Sequence, residues 1–388
     1  MSMKTLRIPS AVITGLGVVK QAGEEAKNLG SKKVLIVSDE ILVKLGVLDE
    51  LKLSLEQNGI QFCLFDRVFT EPTVEYVEEG LTVFKENDCD LVVAIGGGSP
   101  IDTAKAISVM VNNEGSIINY KGIGNIPKKG MPLIAIPTTA GTGSEVTMTT
   151  IITDSTTNVK MLFISPYLMP KVAIVDPLLT QSMPRNLTAA TGVDALTHAI
   201  EAYVSVKAQL ITDLLSISAI KLITNNLRQA WSNGSNIEAR EKVMMGSLLA
   251  GMAFSNSSVA LVHGMSRPIG AYFHVPHGAS NAALLGVVME FSIIGNPERY
   301  AHIAEAMGEN TRDLNHMEAS ELAIKAVKRL IKDIQVPSLK QLELDKDKVW
   351  SLAPQMAEDA ITSGSPGNNP RLATKEEIVE LYKMAYDQ

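Results

Sequence analysis

The sequence predicts an α/β N-terminal domain with a parallel, Rossmann-like sheet, followed by an all-helical C-terminal domain. Over the first 183 residues, short apolar runs alternate with helical patterns, as in proteins whose parallel strands are buried on both faces. Beyond that point, apolar residues recur at helical spacing and strand-like runs stop. We therefore expect domains at 1–183 and 184–388, with a ligand cleft between them.

Five apolar runs are predicted to form the sheet. Most are continuous rather than alternating, which is typical of buried parallel strands. They cover residues 33–38, 61–65, 90–95, 133–136 and 172–175. Helical patterns separate them at about 18–29, 40–58, 74–87 and 101–112.

The second half is predicted to contain helices only. Loops rich in Gly, Asn, Ser and Pro interrupt it at 233–236 and 362–370. The predicted helices cover about 185–204, 210–231, 237–254, 257–270, 279–293, 297–308, 317–334, 346–360 and 374–386.

Composition and charge exclude several classes of protein. The formal net charge is -7 at pH 7 and no long basic run is present, which disfavours nucleic-acid binding. Cys63 and Cys89 lack CxxC spacing and are predicted to be free thiols in a reducing, cytoplasmic compartment. The N-terminus lacks the apolar core of a signal peptide, and no uninterrupted apolar stretch approaches a membrane span.

A glycine-rich loop follows the third predicted strand. Gly96-Gly97-Gly98-Ser99 leads into a helix, so the backbone can approach a ligand closely and free N–H groups point at it. This arrangement suits a pyrophosphate better than a merely tight turn. The pattern is neither G-x-G-x-x-G nor a Walker A loop.

Two further segments are candidate cofactor contacts. Asp39 follows the first predicted strand, where an acid suits a ribose diol and disfavours a 2′-phosphate, so NAD is expected rather than NADP. An aspartate in this position is also a common helix cap. The loop 137–147 contributes threonines and glycines, which can line a phosphate, a ribose or the nicotinamide, or simply form a capped turn.

The helix predicted at 185–204 offers half of a metal site. Asp194 and His198 are four residues apart and therefore share one face. Of only six histidines, three more lie together at positions 263, 274 and 277. Imidazoles with a carboxylate suit zinc or ferrous iron, whereas an ordinary helix-surface pair and core histidines are the alternative.

Together these motifs resemble the iron-containing (group III) alcohol dehydrogenase family over essentially the whole chain. The resemblance implies a dehydroquinate-synthase-like nucleotide domain, NAD, and one divalent metal, Fe²⁺ first with Zn²⁺ or Ni²⁺ possible. It also implies a homodimer or larger homo-oligomer. The motifs that carry it are Gly96 to Ser99 with Asp102 and Lys105, Thr138 to Thr142, Thr191 to Glu201, His263 to His277 with Gly278 and Asn281, and Asn368 to Arg371.

The resemblance also implies which residues form the site. The implied metal ligands are Asp194, His198, His263 and His277. The implied NAD contacts are Asp39, Gly97, Gly98, Ser99, Asp102, Thr138, Thr139, Thr142 and Lys160.

The chain departs from the family pattern at two positions. Glu71 stands where the family often has Asn. Arg267 stands where close relatives have a second histidine, in His-x-Met-x-His, that is assigned to proton relay. Arginine stays protonated and cannot act as a general base near neutral pH. The relay then runs through the cofactor ribose and water, or His274 substitutes, or activity is weak.

The expected activity is reversible hydride transfer between NAD(H) and a small primary alcohol or diol, of the 1,3-propanediol or 1,2-propanediol/lactaldehyde type. A metal- and NAD-dependent lyase of the dehydroquinate synthase type is one alternative. A hydroxy-acid dehydrogenase, such as a 4-hydroxybutyrate dehydrogenase, is another, since Arg267 can pair with an anionic substrate end. A dinucleotide- or metal-binding protein with lost catalysis is a third. The expected partners are a small molecule and a second copy of the chain, with no nucleic acid and no membrane.

Overall fold

The computed structural model describes residues 4–157 and 159–387. The chain divides into two compact units. Residues 7–182 form an α/β unit, and residues 183–387 form a helical unit with which residues 4–6 group. The predicted fold class, a parallel sheet with helices followed by helices alone, is confirmed.

The main sheet of the α/β unit has six parallel strands in the order β1-β9-β6-β4-β2-β3. The five predicted strands are all in it. The sixth, β1, was not predicted because, unlike the equally short β9, it lies at the sheet edge and is not a fully buried apolar run. Side chains of β4 and β6 are buried throughout, as their continuous apolar runs require. The six are β1 Ala11–Thr14, β2 Lys33–Val37, β3 Gln61–Phe65, β4 Leu91–Gly96, β6 Leu133–Pro137 and β9 Val172–Val175.

A second, three-stranded sheet was not predicted. It has the order β5-β8-β7, with β5 Gly122–Ile123, β7 Thr149–Asp154 and β8 Val159–Ile164. β7 and β8 pair antiparallel and bury only alternate residues along much of their length. The polar residues of β7 made it resemble a loop in the sequence, and the mostly apolar β8 was not recognised because a strand that buries only alternate residues gives a weaker signal than a fully buried one.

Five α-helices lie in the described part of the α/β unit. The single helix predicted at 40–58 is wrong: the chain breaks at Gly46, whose φ of 71° lies in the left-handed region. The helix after the glycine loop begins at Gly98, three residues earlier than predicted. The helices are α1 Ala22–Asn28, α2 Glu40–Lys44, α3 Asp49–Gln57, α4 Val74–Glu86 and α5 Gly98–Met110.

The helical unit contains the nine predicted helices, and no strand lies within 183–387. The main boundary error is the helix predicted at 257–270, which begins at Leu261 because Ser258 adopts a φ of 79° and ends the preceding helix. The nine are α6 Arg185–Val204, α7 Leu210–Ser232, α8 Ile237–Ser257, α9 Leu261–Phe273, α10 His277–Ser292, α11 Pro297–Ala306, α12 His316–Asp333, α13 Lys346–Thr362 and α14 Lys375–Asp387.

One helical segment has the length and mean hydropathy of a membrane span, although His277, Asn281 and Glu290 interrupt its apolar residues. His277–Gly295 qualifies alone, and α8 with α9 qualifies as a pair bent by 102°. Within the protein, 61% of the apolar window of His277–Gly295 is buried. A helix that is surrounded by other helices is apolar on all sides, and this accounts for the composition of α10.

The start of α10 lies directly against α6. A Cβ added at Gly278 would stand 2.3 Å from the carbonyl oxygen of Ala190 on α6. Only glycine permits this approach, and it brings the first residue of α10, His277, close to Asp194 on α6.

Replacing Gly278 with alanine should therefore force the two helices apart. We expect Gly278→Ala to lower the free energy of unfolding by about 1–3 kcal/mol, the usual range for overpacking. Urea denaturation measures this change. Gly367→Ala is the matched control, because a Cβ there meets no atom within 4 Å. Equal stability of the two variants would contradict the close-approach argument.

Candidate metal centre

One face of α6 presents three polar side chains to the interior. Asp194, His198 and Glu201 follow at intervals of four and three residues, so they lie on one side of the helix. Their exposed fractions are only 3%, 5% and 2%. Polar groups buried to this extent need partners, and the partners come from α9 and α10.

The turn between α9 and α10 brings two more histidines to this face. His263 is the third residue of α9, and His277 is the first residue of α10. Between them His274 ends α9 with a φ of 56°, and its N–H donates to the carbonyl of Gly270 at 3.0 Å. The chain turns there, and the rings of His263 and His277 come to 5.3 Å between centroids.

Side chains from these three helices converge on one carboxylate oxygen. Oδ1 of Asp194 lies 3.5 Å from Nε2 of His263 and 3.7 Å from Nε2 of His277. Nε2 of His198 lies 4.0 Å from the same oxygen, and its ring stacks on that of His263 at 4.4 Å. Ligand atoms of Asp194, His263 and His277 all fall within 4.8 Å of one another, a spacing that suits a single ion.

The amide of Asn281 shows what these groups require. Its Nδ2 lies 2.6 Å from Oδ1 of Asp194 and 3.2 Å from Nε2 of both His263 and His277. An amide nitrogen only donates, and it has two hydrogens for three acceptors. Its own Oδ1 is buried without a hydrogen-bond partner. Hydrogen-bond acceptors therefore outnumber hydrogen-bond donors at this point, and such a set of lone pairs fits a cation.

Protonation states also favour metal binding. Burial would raise the pKa of the Asp194 carboxyl, but the imidazoles of His198, His277 and His263 hold it well below its usual range. Burial lowers the pKa of His277 to about 3. At neutral pH the carboxylate is therefore ionised and His277 is neutral, which are the forms that bind a metal.

Glu201 orients His263 from the side away from Asp194. Its carboxylate accepts a hydrogen bond from Nδ1 of His263 at 2.6 Å and another from the backbone N–H of Val262 at 2.5 Å. Because a carboxylate accepts, Nδ1 carries the proton and Nε2 presents its lone pair to the centre. Burial would lower the pKa of His263, but Glu201 and Asp194 raise it above the usual value.

In the α/β unit, the glycine loop (Gly96 to Ser99) and the threonine loop (residues 137–147) lie side by side. They leave the carboxyl ends of the neighbouring strands β4 and β6, and the N–H of Thr138 donates to the carbonyl of Gly96 at 2.9 Å. A Cβ added at Gly98 would stand 2.8 Å from the side chain of Thr142. Carboxyl ends of parallel strands are where α/β sheets bind ligands.

A buried charge network anchors the threonine loop to α5. Nζ of Lys105 donates at 2.8 Å to the hydroxyls of Ser144 and Thr147 and to the carbonyl of Thr149. Asp102 accepts from the Ser144 hydroxyl at 2.5 Å and from the N–H of Ile151 at 2.9 Å. Both carboxylate oxygens of Asp102 thus accept hydrogen bonds from the protein, one from Ser144 and one from Ile151. Asp102 therefore holds the threonine loop against α5.

Two family models match the chain. "Iron-containing alcohol dehydrogenase" matches residues 9–177, and "Fe-containing alcohol dehydrogenase family, C-terminal" matches residues 188–386. The chain belongs to the iron-containing alcohol dehydrogenase family. The resemblance inferred from the motifs is confirmed, and so is the general activity: the chain is an NAD-linked oxidoreductase of alcohols and aldehydes.

Individual members of the family match over nearly their full length. 1,3-Propanediol dehydrogenase of Citrobacter freundii is 43% identical over 382 residues, 98% of each chain. Lactaldehyde reductase of Escherichia coli (strain K12) is 40% identical over 96% of this chain and 97% of its own. A crystal structure of 1,3-propanediol oxidoreductase matches with a TM-score of 0.96 at 41% identity, covering 99% of this chain and 100% of that one.

Two residues expected to contact NAD have partners within the chain. Oδ1 of Asp39 caps α2 by accepting from the N–H of Leu42 at 2.9 Å. Nζ of Lys160, on β8, forms an ion pair at 2.6 Å with Glu71, one of the two departures from the family pattern. The Glu71 carboxylate therefore neutralises the charge of Lys160.

The other departure from the family pattern is Arg267 on α9, and His274, the candidate substitute for the missing histidine, follows the same helix. His274 is exposed at the C-terminus of that helix and is not part of the ligand group. Arg267 lies one turn after His263, and its Nη1 donates to the hydroxyl of Ser365 at 3.0 Å. Burial lowers the pKa of Arg267, and the charge of Glu201 opposes that effect.

Sequence reasoning did not assign a role to Glu201 or Asn281. Both lay within motifs that carried the family resemblance. Glu201 is seven residues after Asp194, which places it on the same helical face, and this spacing was an available signal. Asn281 is four residues after His277 on α10 and was detectable in the same way.

Neutralising Glu201 should weaken metal binding. Glu201→Gln keeps the shape of the side chain but removes the charge that raises the basicity of His263. We expect the dissociation constant of Zn²⁺ from the metal-free protein to increase roughly 10- to 100-fold, measured by competition with a chromogenic chelator. Glu238→Gln, at an exposed position of α8, is the control. An unchanged dissociation constant would refute the orienting role.

Removing the buried ammonium of Lys105 should destabilise the α/β unit. Burial lowers the pKa of Lys105 to about 8, although Asp102 and Glu145 oppose that shift. In Lys105→Met these carboxyls lose their cation, so we expect a loss of about 3–5 kcal/mol in unfolding free energy and weaker NAD binding. Urea titration and NAD titration measure the two effects. The exposed Lys129→Met is the control; a variant as stable as the parent would contradict the prediction.

Proposed function

We propose that the chain oxidises small primary alcohols or diols with NAD, and reduces the corresponding aldehydes, by means of one divalent metal. The proposed ligands are Asp194, His198, His263 and His277. Iron is the first candidate because of the family, and three imidazole nitrogens with one carboxylate oxygen also accept zinc or nickel.

The observation that supports this proposal is the surplus of acceptors around the Asn281 amide. A buried carboxylate and two imidazole nitrogens face the same two N–H hydrogens. A purely structural polar core would pair each acceptor with a donor. A cation would satisfy all of them at once.

Each residue of the centre has a definite task in the proposed reaction. When bound, a divalent ion supplies Lewis acidity to an alcohol or carbonyl oxygen, and the dinucleotide takes up or delivers the hydride. Asp194 contributes the ligand charge. Glu201 fixes the tautomer of His263, and the ring of Phe254, stacked on His198 at 4.2 Å, covers that imidazole with an apolar surface.

The dinucleotide is proposed to bind at the carboxyl ends of β4 and β6. Support comes from the adjoining glycine and threonine loops, where Gly97, Gly98, Ser99, Thr138, Thr139 and Thr142 offer small side chains, N–H groups and hydroxyls. Asp39 favours NAD over NADP because its carboxylate repels a 2′-phosphate even while capping α2. Lys160 and Asp102 are also proposed to contact the cofactor. Within the protein, Lys160 pairs with Glu71, and Asp102 accepts hydrogen bonds from Ser144 and Ile151.

The substrate class follows the matching relatives. Those relatives are named for 1,3-propanediol and lactaldehyde, so we propose short diols and their aldehydes. A homodimer or larger assembly is also proposed, from the family resemblance. A cytoplasmic location is proposed because the two cysteines, Cys63 and Cys89, lack CxxC spacing.

Metal removal and replacement tests the proposal. Dialysis against a chelator should abolish NADH formation from 1,3-propanediol, and adding Fe²⁺ should restore it, since Lewis acidity contributes several kcal/mol to the reaction. His263→Ala should bind less than one equivalent of metal and lose roughly 100-fold or more in kcat/KM. Metal content measured by mass spectrometry accompanies the rate.

The control is His316→Ala, which alters an exposed histidine at the start of α12. It should keep both metal content and rate. A metal-free preparation with full activity would overturn the proposed centre, and so would a His263→Ala variant that retains one tightly bound equivalent.

A further inference from the structure

Arg267 is placed beside the ligand group by two local features. It follows His263 by four residues on α9, so both side chains leave the same face of the helix. Gly264 lets the 362–370 loop pack against α9, since a Cβ there would stand 2.8 Å from the ring of Pro366. This contact brings the buried Ser365 to the guanidinium of Arg267.

The guanidinium has no anionic partner among residues 4–157 and 159–387. Its only hydrogen bond there is to the neutral hydroxyl of Ser365, and no described carboxylate comes within ion-pairing distance. Glu201 acts on it only at longer range, and the Glu201 oxygens already accept from Val262 and His263. A partly buried cation with one neutral contact is costly unless an anion joins it.

The charge of the centre leaves room for that anion. The carboxylates of Asp194 and Glu201 together balance one divalent ion. Arg267 then keeps a positive charge that no described carboxylate pairs, because arginine does not release its proton.

We propose that Arg267 binds an anionic group at the far end of the substrate, so that this enzyme prefers short ω-hydroxy acids and their aldehyde forms to neutral diols. The inference rests on the proposed function above and narrows its substrate class. A planar guanidinium pairs with a carboxylate or sulfonate through two parallel hydrogen bonds. Arg267 thus acts in substrate recognition. A histidine at this position would not provide a permanent positive charge.

Matched substrate pairs test the proposal on the metal-loaded enzyme with NAD. The pairs are 3-hydroxypropanoate with 1,3-propanediol, 4-hydroxybutanoate with 1,4-butanediol, and 2-hydroxyethanesulfonate with 1,2-ethanediol. We expect kcat/KM for at least one acid to exceed that of its diol by tenfold or more. The pair with the largest ratio shows whether carboxylate or sulfonate is the preferred head group.

Variants of Arg267 test whether the guanidinium is responsible. Arg267→Gln should lower kcat/KM for the preferred acid roughly 10- to 100-fold, mainly through KM, because the anion is held equally in ground and transition states. For the matched diol, which has no anionic group for Arg267 to bind, kcat/KM should change by less than about threefold. Arg267→Lys keeps the charge and should retain part of the preference. Arg228→Gln, in an exposed ion pair with Asp333, is the control.

The outcomes separate the two proposals. If diols are oxidised and every acid is slower than its diol, the anion inference fails and the proposed function stands. An equal loss for acid and diol in Arg267→Gln also overturns the inference, because it indicates a structural role. If the metal-loaded enzyme oxidises none of the six compounds, the proposed function fails and the inference fails with it.

Discussion

The buried carboxylate of Asp194 is the constraint on which the centre of the helical unit depends. A carboxylate that is 3% exposed must be compensated, and here the compensation comes from imidazole nitrogens and one amide rather than from lysine or arginine. These groups can approach only because α10 touches α6 at Gly278 and because the chain turns at His274. Helix packing and electrostatics therefore act together at the Asp194 carboxylate. Neutral imidazole ligands around this fixed anion favour a cation there.

Much of the fold could be predicted from the sequence because its central strands are buried on both faces. β2, β4 and β6 are continuous apolar runs, and such runs are recognisable without knowledge of their neighbours. The edge strand β1 and the small sheet could not be found, because their residues are few or polar and their pairing depends on distant segments. The break at Gly46 and the end of α8 at Ser258 depend on positive φ values, which only the folded chain reveals.

In the candidate site too, some residues could be predicted from local spacing, and others depend on contacts between distant parts of the chain. Asp194 and His198 are four residues apart on one helix, so local spacing proposed them, and the family motifs supplied their partners. The role of Glu201 depends on Val262 and His263, about sixty residues further along the chain, and no local pattern encodes that contact. The sequence likewise allowed two roles for Asp39. The hydrogen bond to Leu42 establishes that it caps α2, while its role toward the cofactor stays a prediction.

Arg267 is adjacent to the ligand group without taking part in it. The ligand group assembles with arginine in place of the histidine, because Arg267 lies outside the group and contacts Ser365 instead. What changes is electrostatic: a titratable ring becomes a permanent cation in a partly buried setting. Such a cation cannot relay a proton, but under the proposal it would discriminate between substrates, since a substrate that lacks the matching anion leaves it unpaired. Under the two proposals, fold and ligands determine the reaction class, and Arg267, one helical turn from His263, determines which alcohols undergo it.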